Sequence, residues 1–63
     1  MKNKDLQKEA IAIICDRYIL TAQGCIESAS MSFGNGKKDE AEYWLRMADI
    51  HCKLALVRIL NDN

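Results

Sequence analysis

The ten residues from Phe33 to Glu42, FGNGKKDEAE, decide the architecture. Gly34 and Gly36 flank Asn35, and these residue types tolerate the left-handed backbone that ends a helix. Directly after them come Asp39, Glu40 and Glu42, near a first turn where negative charge favours the helix dipole. The segment therefore reads as the end of one helix, a short loop and the start of a second. Working outward, the absence of Pro and the wide spacing of the remaining glycine leave both flanks free to be helical. The pattern predicts an all-α antiparallel hairpin in a single domain, 1–63, with helices over about 4–32 and 37–61 and Asn3 as the first cap. Gly24 falls inside the first helix, where it costs roughly 1 kcal/mol relative to Ala. It marks a kink, a break into a short third helix, or a point of close approach by a neighbouring helix.

Projected at about 100° per residue, the first helix carries one strong face of Ile11, Ile14, Cys15, Tyr18, Ala22, Cys25, Ala29 and Phe33. Ile19 and Ile26 widen it on one side, and Leu6, Ile13 and Leu20 form a separate ridge beside the polar residues. The second helix has a narrow charged stripe, Glu42, Arg46, Asp49 and Lys53, read as its solvated face with two i,i+4 pairs. Around the rest run two apolar rows: Ala41, Leu45, Ala48, Cys52, Ala55 and Ile59, then Tyr43, Met47, Ile50, Leu54 and Val57, with Trp44 between them. One helix covers about one row of its neighbour. The other rows stay wet, and a fully buried Ile or Leu is worth roughly 1.5–3 kcal/mol. The economical solution is a twofold dimer of hairpins, a four-helix bundle, or a higher oligomer.

Charge and chemistry narrow the function classes. Nine basic residues balance nine acidic ones, so no general field draws the chain to nucleic acid or anionic lipid. No apolar run is long enough for a membrane span and no small-residue cleavage site stands out, which suggests a soluble cytoplasmic protein. The three cysteines are odd in number and lack C-x-x-C spacing, which fits buried reduced thiols. His51 is the single His, with no ligand spacing around it, and reads as a packed or interfacial residue hydrogen-bonded to a carboxylate or hydroxyl. Two copies of His51 meeting across a twofold axis would make association sensitive to pH. Arg58 lies on the same side, as a snorkelling residue or a recognition residue at an interface edge. GNG lacks the strand and the lysine–hydroxyl pair of a phosphate loop. Tyr18, Phe33, Tyr43 and Trp44 sit at apolar helix positions, where core packing outranks base stacking. No catalytic residue, metal site or cofactor is expected.

GKKDEAEYWLRMADI resembles the inner part of a tetratricopeptide repeat, but the preceding helix lacks that repeat's aromatic and leucine–glycine pattern, and one unit cannot bury its own faces. From MKNKDLQKEAIAIICDRYILTAQGC through FGNGKKDEAEYWLRMADIHCKLALVRIL, the chain resembles the short helical proteins of early accessory regions in lambdoid bacteriophages. This resemblance rests on size and hairpin pattern, and implies a regulator of host or phage development acting through contacts with a host or phage protein. The plasmid-encoded Rop family is similar in length and architecture and binds paired RNA across its bundle.

The expectation is a non-enzymatic regulatory or adaptor protein that binds itself and another protein. Its expected oligomer and partner contacts are Leu6, Ile13, Leu20, Tyr43, Met47, Ile50, His51, Leu54, Val57 and Arg58. The alternative is a small RNA- or DNA-binding regulator whose Lys2, Lys4, Lys8, Lys37 and Lys38 gather at the bundle ends.

Overall fold

The computed structural model describes the backbone of residues 2–61 and the side chains of residues 6–61. It is an all-α helical hairpin: α1, Lys2–Gly34, is followed by α2, Lys38–Asn61, which runs back along it. The chain reverses where FGNG predicts. Among the described residues Gly36 alone adopts a left-handed φ, +78°, and the Lys37 N–H donates to the Ser32 carbonyl at 2.8 Å while the Gly36 N–H donates to the Phe33 carbonyl at 3.0 Å. Those two bonds around a left-handed glycine are the Schellman closure, and they satisfy carbonyls that the end of α1 would otherwise leave open. The Ala41 N–H then donates to the Lys37 carbonyl at 3.0 Å as α2 starts, with Asp39 and Glu40 in its first turn.

Three local expectations are corrected. α1 continues as one helix through Gly24, and a Cβ built there would meet nothing within 4 Å, so of the readings offered the break into a third helix and the close approach within the hairpin are set aside. Asn3 lies inside the helical span rather than ahead of it; its side chain is outside the described residues. Phe33, placed with the strong face of α1, is 66% exposed, because the chain turns away before α2 can cover it.

What the two helices bury against each other is small. Among the described residues the buried apolar positions are Cys15, Ala22, Cys25 and Ala29 on α1 and Ala41, Ala48 and Ala55 on α2. Cys15, Ala22 and Ala29 are spaced by seven, as are Ala41, Ala48 and Ala55, so each helix presents one straight seam of short side chains. Short side chains at a crossing let two helix backbones approach closely. The seam has a fixed register: the Cys15 thiol lies 3.7 Å from the Ala55 carbonyl, and Ala22 and Cys25 cluster with Ala48 beneath Trp44 and Met47. No large side chain among the described residues is fully buried.

The outer dimensions follow. The Cα radius of gyration is 15.0 Å, against about 11 Å for a compact domain of this length. The Cα trace is a thin rod, 53 × 14 × 8 Å. No described helix is long and apolar enough to cross a membrane.

Candidate interaction surface

The large apolar residues are on the outside. Fifteen of them among the described residues are between 42% and 70% exposed. Helix periodicity and the seam register sort most of them into two flanks of the hairpin and a ridge on its back. On one flank, Ile19, Ile26 and Phe33 of α1 run beside Leu45, Leu56 and Ile59 of α2, and an open groove at its turn end is lined by Ile26, Ala29, Ser30, Phe33, Ala41 and Leu45. Cys52 lies on this flank as well. It is exposed, unlike Cys15 and Cys25, because its thiol projects beside the alanine seam rather than into it. All three cysteines are free thiols.

The opposite flank carries most of the contact residues read from sequence. Tyr43, Ile50, Leu54 and Val57 are exposed there, with Met47 and His51 half-buried beside them. Its α1 side is apolar only toward the open end, through half-buried Ile11, Ile14 and Tyr18; toward the turn it changes to Thr21 and Ser28. Arg58 is exposed at the far end, where Ile11, Leu54, Val57 and Asn61 complete a shallow concavity around it. Leu6, Ile13 and Leu20 stand on the back of α1, each more than half exposed and turned away from α2. The structure therefore does not unite the expected contact residues. It distributes them over two surfaces.

His51 takes a different partner from the expected carboxylate or hydroxyl. Its Nδ1 lies 2.8 Å from the Met47 carbonyl, one turn back. A carbonyl only accepts, so Nδ1 carries a proton in this bond and donates it. The imidazole is held in place by that bond and by Tyr18 across the seam, with ring centroids 6.4 Å apart. Tyr43 and Trp44 make an edge-on pair at 5.2 Å. The charged stripe forms its two pairs, Arg46–Glu42 at 2.7 Å and Lys53–Asp49 at 2.9 Å, with all four side chains well solvated.

The lysines of the nucleic-acid alternative are not brought together in one hairpin. Lys2 and Lys4 have side chains outside the described residues; Lys8 is exposed toward the open end, and Lys37 and Lys38 are exposed at the turn. At about 1.5 Å of rise per residue, Lys8 and Lys37 are some 40 Å apart along the rod. Among the described residues no group of three or more His, Cys, Asp or Glu side chains converges as a metal site would require.

The chain matches no family model, no curated protein and no solved structure. Its surface chemistry is thus read from its own geometry. The part of that geometry missed at the sequence level is the division of labour inside each apolar row. Ala41, Ala48 and Ala55 share a row with Leu45, Cys52 and Ile59, yet only the alanines go in. The signal was present in the sequence as side-chain size alternating at three- and four-residue steps.

Proposed function

We propose that this protein is a self-associating helical hairpin, a four-helix-bundle dimer, that works as a regulatory or adaptor protein by presenting its remaining apolar surface to another protein. One observation carries the reading: the hairpin fills its own interior with Ala and Cys and leaves its Leu, Ile, Phe and Tyr residues outside. Exposed apolar area beyond a few hundred Å² is the mark of an interaction surface. The accessible surface is 5305 Å² for a chain of 7.2 kDa, where a compact monomer of that mass has about 4,100 Å². The excess of about 1,200 Å² per chain exceeds the roughly 800 Å² each partner commits to a standard interface.

A regulatory or adaptor role fits a surface whose grooves are shallow and partly apolar. The grooves lie open along the outside of the rod and are lined by apolar and solvated charged side chains such as Leu45, Glu42 and Arg46. The partner we propose is a host or phage protein, as a resemblance to early accessory proteins of lambdoid phages would imply. Sedimentation equilibrium of the purified protein tests the self-association. A species of twice the 7.2 kDa chain mass supports it, and a folded species of single chain mass at every concentration overturns it.

A further inference from the structure

The two apolar flanks of the hairpin differ in how far their apolar character extends along both helices. We infer that the flank of Ile19, Ile26, Phe33, Leu45, Leu56 and Ile59 is the dimer seam, that a second copy of this chain seats on it face to face, and that Cys52 is buried there. The inference rests on the self-association proposed above and assigns the face.

Sequence spacing supports this assignment. On α1, positions 12, 15, 19, 22, 26, 29 and 33 alternate steps of three and four, and on α2 so do 41, 45, 48, 52, 55 and 59. That is the a/d repeat by which helices pack in coiled coils and bundles. In both helices one half of the repeat is the small seam already buried inside the hairpin. The other half, Ala12, Ile19, Ile26 and Phe33 with Leu45, Cys52 and Ile59, is the half left out in solvent. A hairpin alone uses half of each repeat. A second hairpin laid on this flank uses the other half, and large and small layers then alternate through one core.

Charge and area identify the occupant as a second copy. Those seven outer positions are uncharged. Among the described residues the repeat meets a charge at Lys38, at the turn end beside Phe33, where Glu42 and Asp49 next to Leu45 supply the opposite sign, so two copies meet along the seven without a row of like charges. The surplus of about 1,200 Å² belongs to the whole rod, and it is more than the roughly 800 Å² that one side of a standard interface needs, so closing one flank with a second copy leaves exposed surface over for a partner. The opposite flank is less suited to the same use. Its α1 half changes from Ile11, Ile14 and Tyr18 to Thr21 and Ser28, so it is apolar along α2 alone over the turn half of the rod. With the dimer seam on the first flank, Tyr43, Ile50 and Val57 remain outside for the partner.

Cys52 reports on the assignment without any substitution. In the hairpin alone it is the exposed thiol, while Cys15 and Cys25 are buried in either arrangement. The wild-type protein is titrated under native conditions with a small aromatic disulfide reagent, the modified cysteine is located by peptide mass, and Ile26→Asp and Ile50→Asp are sedimented beside it. The expected result is a dimer whose Cys52 reacts at least about tenfold more slowly than the thiols of the unfolded chain, with Ile50→Asp still dimeric and equally protected. Ile26→Asp is expected to lose the dimer, whether or not its hairpin stays folded. A wild-type dimer with one fast thiol at Cys52 overturns the face assignment while leaving self-association intact. So does dissociation of Ile50→Asp with Ile26→Asp still dimeric. A folded wild-type monomer at every concentration overturns both.

Discussion

Replacing Ala48 by Leu probes the seam inside the hairpin most sharply. Ala48 is 5% exposed and packs on Ala22 and Cys25, with Trp44 and Met47 closing over them. Leu and Ala are both strong helix formers, so the substitution leaves helix propensity nearly unchanged. The added side chain has nowhere to go: the seam consists of short side chains, and the helix opposite presents Ala22 at 3% exposure. Forcing extra methylenes into a packed interior costs typically 1–3 kcal/mol. For a domain of this size each kcal/mol moves the thermal midpoint by about 4–8 °C. Ala48→Leu should therefore lower the midpoint by about 8–16 °C for a cost of about 2 kcal/mol, followed by far-UV circular dichroism at one fixed protein concentration. Ala10→Leu, on an exposed position of α1, is the control and should stay within a few degrees of wild type. A midpoint for Ala48→Leu equal to or above wild type would refute the small-residue seam, since it would mean that the helices are far enough apart to accept a large side chain.

Other substitutions test the remaining features of the fold. Gly24→Ala should raise stability by about 1 kcal/mol, because the position is helical and a Cβ meets open space; an unchanged or lower midpoint would contradict the unbroken helix. Gly36→Ala should have the opposite sign, a loss of roughly 1–2 kcal/mol, since its φ of +78° is one that L side chains rarely adopt. Equal melting of the two glycine variants would contradict the turn geometry. Glu42→Gln should change stability by no more than about 0.5 kcal/mol, because the Arg46–Glu42 pair is 76% and 59% exposed and lies on one helix surface. A larger loss would place that stripe in a buried interface.

Much of the hairpin was legible because its signals are local. FGNG specifies a left-handed glycine and a reversal, and the acidic residues after it specify a helix start; neither depends on what the helices pack against. The 3.6-residue period likewise reported the correct face of α1, with Cys15, Ala22, Cys25 and Ala29 buried. The outward reading of Leu6, Ile13 and Leu20 also agrees with their exposure.

Two kinds of feature were hidden. Gly24 does not break α1, because a helix of this length tolerates about 1 kcal/mol at one exposed glycine. The roles of Phe33 and Cys52 were not resolved by hydrophobicity, which treats Ala, Cys, Leu and Phe as one class. Burial between two closely packed helices instead depends on side-chain length. Phe33 and Leu45 are too large for the seam and fall on its flank, while Ala29 and Ala41 occupy it. A surface shared between copies has no local signature at all. It becomes visible as half of a heptad repeat only once the other half is seen to be used.

A hairpin with an interior of alanine and cysteine is proposed to depend on a second copy for its stability. The most direct test is the thermal midpoint of the wild-type protein across a wide range of protein concentration, with the mass measured in the same samples. If association supplies the stability, the midpoint climbs as concentration rises, and helicity is lost on dilution together with the dimer. A midpoint independent of concentration, from a helical species of single chain mass, would contradict the account.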